Sequence, residues 1–106
     1  VTGNIVGADT YANDANNNSI TIDGNATVNL PTSQFIVGGY TYLGNANGNT
    51  ITINGGTITG SAITNSVSPT AIIGGAAFND TKSANDNTIN LNGGTIAASI
   101  CTAVHP

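Results

Sequence analysis

Few residues in this chain have the chemistry for catalysis, and their spacing limits what they can do together. Over 106 residues there are five acids (Asp9, Asp14, Asp23, Asp80, Asp86), one lysine (Lys82), one histidine (His105) and one cysteine (Cys101), with neither Glu nor Arg. Asp9 with Asp14, and Asp80 with Asp86, are near enough in sequence to form carboxylate pairs in loops. Such pairs serve acid–base chemistry or a weak Ca2+ site. Ca2+ takes about six to eight oxygen ligands, and neither an EF-hand loop nor a GGxGxD repeat accompanies these acids. They read as solvated loop residues. Cys101 and His105 stand four apart in "ICTAVHP", a segment with no partner in the repeat described below. A Cys–His nucleophile pair needs a third, orienting group and a pocket. The expectation is a terminal segment or edge strand carrying one small thiol, with no internal disulfide available to it.

Other residue clusters point the same way. The glycine pairs Gly38-Gly39, Gly55-Gly56, Gly74-Gly75 and Gly93-Gly94 lack the following helix and fixed Lys or Ser of a phosphate-cradling loop. They read as turn or close-packing glycines, serving as tight corners between faces. Asn17-Asn18-Ser19, Asn25-Ala26-Thr27 and Asn79-Asp80-Thr81 match the N-glycosylation pattern, which arises by chance in a chain this rich in Asn and Thr. Tyr11, Tyr42 and Phe78 fall at equivalent repeat positions and are expected to stack as a small aromatic ladder. Packing at a strand end is favoured over a sugar platform. The chain is therefore expected to be non-catalytic, with no cofactor, no metal and no catalytic residue.

Composition excludes further classes. A net charge of −4 with a single basic residue leaves almost nothing to neutralise phosphates, so nucleic acid is not an expected partner. Neither a polybasic anchor nor an apolar run of about 20 residues is present for membrane insertion. Charged residues are 6% of the chain and hydrophobic residues 39%, so the polarity comes from uncharged Asn and Thr. These can stack on copies of themselves without repulsion. The first residue is Val1 and no signal peptide is visible, so the sequence is expected to be processed, excised or partial.

The elements that must position these residues repeat. "SITIDG" (Ser19–Gly24), "TITING" (Thr50–Gly55) and "TINLNG" (Thr88–Gly93) place Ile20, Ile51 and Ile89 at steps of 31 and 38 residues. A second marker, "IVGADTY", "IVGGYTY" and "IIGGAAF", starts at Ile5, Ile36 and Ile72, stepping 31 and 36. A third, "ATVNL", "TITGSAI" and "TIAASI", begins at Ala26, Thr57 and Thr95. All are Ile/Val/Thr-rich, alternate with period two and are bounded by Asn and Gly, which is strand chemistry rather than helix chemistry. Two folds fit. One is an all-β parallel β-helix of about three coils with three short strands each, the coils spanning about 1–35, 36–71 and 72–106 of a single domain. The other is a hairpin sheet turning at Asn54-Gly55-Gly56. Copies at 31–38 residues favour the first, because stacking requires like to sit on like.

The stretch "IVGGYTYLGNANGNTITINGGTITG" (Ile36–Gly60) resembles the Gly/Asn-rich repeats in passenger regions of bacterial autotransporter adhesins and related giant surface proteins, and the likeness extends over residues 1–100. It implies a right-handed parallel β-helix and an extracellular or cell-surface location. It also implies a structural or adhesive role, a host-surface or glycan ligand, and no cofactor. The translocator barrel of such families is absent from this sequence. Partnership is expected through end-to-end self-association or continuation in a longer rod, because uncapped strand edges invite further strands. Two rivals remain. Thr50-Ile51-Thr52 and Thr57-Ile58-Thr59 resemble the Thr-x-Thr arrays of ice-binding β-solenoids, although Ser19/Thr21 and Thr88/Asn90 interrupt the lattice. A polysaccharide-active β-helix enzyme would need a cleft with paired Asp.

Overall fold

The computed structural model describes residues 1–31, 33–60 and 72–104. Among these there is no helix. Ten short strands form: β1 Ile5–Thr10, β2 Ser19–Ile22, β3 Thr27–Leu30, β4 Ile36–Thr41, β5 Thr50–Ile53, β6 Thr57–Gly60, β7 Ile72–Ala77, β8 Thr88–Leu91, β9 Thr95–Ala97 and β10 Ile100–Val104. They build three sheets in the orders β1-β4-β7-β10, β2-β5-β8 and β3-β6-β9. Every strand pair is parallel. The chain visits the sheets in rotation and returns to each on the next repeat.

The register is the one the markers require. Ile20, Ile51 and Ile89 align, as do Ile22, Ile53 and Leu91. Period-two alternation sends these apolar residues inward and the Ser, Thr and Asn between them outward. Ile51 and Ile53 are 0% exposed. They join Ile20, Ile22, Val28, Leu30, Ile36, Ile58 and Ile72 in one core enclosed by the three sheets. The hairpin alternative does not form. β5 and β6, on either side of Asn54-Gly55-Gly56, lie in different sheets and pair only with their own equivalents. Gly56 and Gly94 take φ of +93° and +89° at this corner, where a side chain would be strained.

Three expectations about placement are corrected. Gly38-Gly39 and Gly74-Gly75 are not corners but lie inside β4 and β7. A Cβ on Gly39 would stand 2.7 Å from Asn49 Nδ2, and one on Gly75 would stand 2.6 Å from Asn87 Nδ2. These glycines leave room for the two amides. Asp9 is not a loop acid. It sits in β1 opposite Tyr40, carried there by the regularity of the strand around it. "ICTAVHP" does have a repeat partner. Ile100 aligns with Ile72 and Cys101 with Ile73, so β10 is a fourth strand of the first sheet. Ile100 thus belongs to this sheet rather than to the end of the "TIAASI" segment.

β4 and β7 are buried on both faces. Val37, Ile73 and Ala76, with Phe35, Tyr40 and Val104 against them, form a second cluster. At the N-terminal edge, Val1–Gly3 runs along β3. Asn29 N–H donates to the Val1 carbonyl at 2.8 Å, and Gly3 N–H donates to the Asn29 carbonyl at 3.0 Å.

Candidate interaction surfaces

The turn between the first and second sheets carries the most ordered polar arrangement in the molecule. It is built from Asn and Asp at matching positions: Asp14/Asn45/Ser83, Asn16/Asn47/Asn85 and Asn18/Asn49/Asn87. In the first row, Asn45 N–H donates to Asp14 Oδ1 at 2.8 Å, and Ser83 N–H donates to Asn45 Oδ1 at 3.0 Å. In the second, Asn47 N–H donates to Asn16 Oδ1 and Asn85 N–H to Asn47 Oδ1, both at 2.7 Å. In these two rows the Asp and Asn side chains use only their acceptor oxygen, Ser83 Oγ also donating to Asn45 Oδ1 at 3.3 Å and Asn47 Oδ1 at 3.0 Å, which is why an aspartate serves at position 14.

The third row runs the other way and uses both ends of the amide. Asn49 Oδ1 accepts from Asn18 N–H at 3.0 Å and from Asn18 Nδ2 at 2.9 Å. Asn49 Nδ2 donates to the Ala15 carbonyl at 2.9 Å and to Asn87 Oδ1 at 3.0 Å. Asn49 N–H reaches Asn87 Oδ1 at 2.9 Å, and Asn87 Nδ2 the Ala46 carbonyl at 2.9 Å. Asn49 is fully buried and satisfied, a condition that buried amides must meet. Between the second and third rows stand Asn17, Gly48 and Asp86, with φ of +59°, +67° and +57°. Gly, Asn and Asp are the residues that enter this left-handed conformation most readily. Composition suggested Asn stacking but not where it occurs; the signal that could have located it is the spacing of the Asn rows at 31 and 38, the same as that of the Ile20/Ile51/Ile89 column.

On the outer faces, Thr27, Thr57 and Thr95 form a continuous, exposed column along β3-β6-β9. The adjacent column is Asn29, Thr59 and Ala97. On β2-β5-β8 the columns are Ser19/Thr50/Thr88 and Thr21/Thr52/Asn90. The expected aromatic ladder is present. Ring centroids are 5.7 Å apart for Tyr11–Tyr42 and 5.5 Å for Tyr42–Phe78, at interplanar angles of 32° and 35°. Tyr40 packs edge-on to Tyr42 and lies 5.1 Å from Phe78. Rings this close lean on one another, while Tyr11, Tyr42 and Phe78 stay 69%, 51% and 37% exposed. The Tyr40 hydroxyl is pushed above its ordinary pKa, first by burial and then by neighbouring Tyr42 and Asp9.

The residues considered for chemistry are dispersed. Asp14 holds the turn, Asp86 occupies a left-handed position, and Asp23 Oδ1 accepts from Gly24 N–H at 2.8 Å. In one glycosylation-type site, Asn79 Oδ1 is taken by Thr81 N–H and Oγ. Cys101 is half-buried in β10, its thiol donating to the Ala103 carbonyl. His105 lies outside the described residues, as does Ser61–Ile63 of the third marker. Among the described residues, no three His, Cys, Asp or Glu side chains come together.

The two ends differ. Ile20 and Ile22 on edge strand β2 are 8% and 6% exposed, whereas Leu91 on β8 and Ile100 on β10 are 49% and 41% exposed. Edge strand β1 also leaves an apolar side chain exposed, Val6 at 39%. Comparison of the chain with protein-family models, curated proteins and solved structures returned no match.

Proposed function

We propose that this chain is a β-solenoid segment of about three coils that acts as a non-catalytic structural or adhesive element on the outside of a microbial cell. The observation that carries the reading is the shared register of three parallel sheets. Each repeat lays the same residue types on the same columns, so length is gained by adding further repeats without new chemistry. Extracellular placement and adhesion follow the resemblance to autotransporter passenger repeats. The low charge and dispersed acids fit a scaffold better than an active site. Its natural neighbours are further strands of the same kind at the ends of the stack, from its own longer chain or from other copies, or a host-surface glycan along the sides. The test has two parts. Beads displaying the chain are challenged with host-type cells and glycan arrays, and the soluble chain is screened against polysaccharide and ester substrates. Specific capture, or a protease-resistant chain without turnover, agrees with the reading. Turnover abolished by changing Asp80 or Asp86 overturns it.

A second reading, ice binding, is favoured by the unbroken Thr27/Thr57/Thr95 column and opposed by Asn29 and Ala97 beside it. Thermal hysteresis that disappears in Thr57→Asn is its signature, and its absence in the parent chain removes it.

A further inference from the structure

From the aromatic ladder we infer an oxidative cross-linking site. Tyr11 and Tyr42 are placed to be joined, ring carbon to ring carbon, into a dityrosine that staples the first repeat to the second. The inference stands on the register of these two repeats and goes beyond the proposed function by assigning a covalent modification. Its failure leaves that function standing, because a scaffold does not require the link.

The backbone brings the two phenols together. Thr10 and Thr41 are paired at the ends of β1 and β4. Just beyond them, Tyr42 N–H donates to the Thr10 carbonyl at 3.4 Å and Leu43 N–H to the Tyr11 carbonyl at 2.8 Å. The hydrogen-bond ladder thus continues past the strands and holds Tyr11 and Tyr42 on adjacent rungs. Their ring centroids are 5.7 Å apart and their planes are tilted by 32°, yet Tyr11 is 69% and Tyr42 51% exposed. The exposure of Tyr42 is not an effect of the ends of the stack, since it has a ring on either side, Tyr11 and Phe78. The open surface is lateral, and an oxidant in solution reaches both phenols. The same openness lets the rings slip from stacking into the edge contact that the bond requires.

The surrounding residues favour one product. Phe78, the next rung, has no hydroxyl and yields no phenoxyl radical. Tyr40 is the other phenol in contact with Tyr42, but its ring stands at 72° to that of Tyr42 with centroids 6.4 Å apart. It is also half-buried against the cluster of Val37, Ile73 and Ala76. Neither Trp nor Met is present to compete for the oxidant, and Cys101 lies on β10, at the opposite edge of the sheet from β1.

The step needs a one-electron phenol oxidant, of which a haem peroxidase with hydrogen peroxide is the class. Each phenol loses one electron and its hydroxyl proton. The two radicals join at the carbons ortho to oxygen. Each ring then regains aromaticity as its ortho hydrogen moves, as a proton, to the phenol oxygen. Two hydrogen atoms leave the protein in all, and one hydrogen peroxide is reduced to two waters. With a single cysteine the chain has no internal disulfide. A Tyr11–Tyr42 link does the same work, closing a loop of about 30 residues and removing conformations from the unfolded state.

The test treats the 106-residue chain with a haem peroxidase and one equivalent of hydrogen peroxide. At micromolar protein a link within the chain outruns one between chains, because effective concentrations inside one molecule are on the order of mM. The expected product is a monomer lighter by two hydrogen atoms, with dityrosine fluorescence and a peptide map joining Tyr11 to Tyr42. Its unfolding constant in urea melts is lower than that of the parent by about a hundredfold, the order expected for a loop of this length. Tyr11→Phe and Tyr42→Phe each remove the product, and Tyr40→Phe keeps it. A ruthenium photo-oxidant with persulfate, which works in buffer and in denaturing urea alike, shows whether the fold is responsible. Unfolding should lower the yield of the Tyr11–Tyr42 link by about tenfold or more, since the chain then no longer holds the rings together. No link in the folded chain overturns the inference, as does a product dominated by Tyr40–Tyr42 or by pairs of molecules. Equal yield in buffer and in urea overturns it too, and so does a linked chain no more stable than its parent.

Discussion

Changing Asn49 to Asp alters one atom and tests whether the third asparagine row holds the stack. Asn49 donates from Nδ2 to the Ala15 carbonyl at 2.9 Å and to Asn87 Oδ1 at 3.0 Å, and it is 0% exposed. In Asn49→Asp the acceptor duties toward Asn18 survive, but both donations are lost and an oxygen faces two oxygens. Each net hydrogen bond is worth about 1 kcal/mol, and each buried acceptor left unpaired costs about 1–3 kcal/mol. The substitution should destabilise by about 3–5 kcal/mol at neutral pH, a large share of the roughly 5–15 kcal/mol that holds a domain together. Asn47→Asp is the matched control. Asn47 Oδ1 only accepts, from Asn85 N–H at 2.7 Å and Ser83 Oγ at 3.0 Å, and a carboxylate accepts such bonds at least as well. Its expected cost is within about 1 kcal/mol, the size of a single net hydrogen bond.

The pair also differ in pH dependence. At position 49 the new carboxyl is buried among oxygens, so its folded pKa lies above the unfolded value of about 3.9. The unfolded chain then releases its proton first as pH rises. Stability of Asn49→Asp should fall from about pH 4 up to the folded pKa and stay low above it. Below pH 4 the protonated carboxyl can donate one bond and part of the loss is recovered. Urea melts of both variants at pH 3.5 and 8, read against the parent chain, measure this. Equal costs for the two variants at pH 8, or a pH-independent cost for Asn49→Asp, would refute the ladder argument.

Ile53→Asn should cost about 2–4 kcal/mol by placing an unpartnered amide in an Ile/Leu column. Thr52→Asn should be nearly neutral in the same thermal melts, since Asn90 already occupies that column. Gly39→Ala should destabilise strongly, because the added methyl meets the Ala15 carbonyl and Asn49. Ala8, which aligns with Gly39, should tolerate Ala8→Gly at about 1 kcal/mol or less, and denaturant midpoints decide the comparison. The raised Tyr40 pKa means the folded chain holds that proton more tightly than the unfolded one. The stability it contributes is complete below about pH 10 and is lost as pH rises through the folded pKa. Tyr40→Phe should flatten that alkaline decline in melts taken between pH 9 and 12.

The strand columns were legible in the sequence because period two and long-range repetition agree. Ile20/Ile51/Ile89 and Ile5/Ile36/Ile72 step together, and only stacking needs that. The dual use of the third row was not legible. Asn47 and Asn49 look equivalent in "NANGN", and only the reversed hydrogen-bond direction separates them. Close packing was one of two readings for Gly39 and Gly75, but the group that rests on them, an amide from another turn of chain, could not be named from sequence. β10 escaped because "ICTAV" lacks the glycine pair of its equivalents. Its Ile100 and Cys101 nevertheless take the positions of Ile72 and Ile73, since strand pairing reads backbone and alternation rather than a motif. Asp9 was misplaced because a charged residue looks like loop, whereas an outward strand position accepts it.

The three corners of the repeat are not equally free, and the difference follows from what each one carries. The Gly corners between the second and third sheets span Asp23–Ala26, Asn54–Gly56 and Asn92–Gly94. The Asn turns span Tyr11–Asn18, Tyr42–Asn49 and Phe78–Asn87. Their side-chain rows must meet across repeats, so added residues are confined to the part of the turn that carries no row, as in Asn79–Lys82. The corner from the third sheet back to the first spans Pro31–Phe35, then residues 61–71, then Ala98–Ser99. It varies most in length, and one bond, Phe35 N–H to Asn4 Oδ1, links side chain to backbone there among the described residues. Loop length alone costs little entropy, so the limit on insertion is the ladder rather than the chain. Any surface that must differ between otherwise similar repeats, an adhesive one included, is most cheaply built at this third connection, where among the described residues a single side-chain bond has to be kept in register.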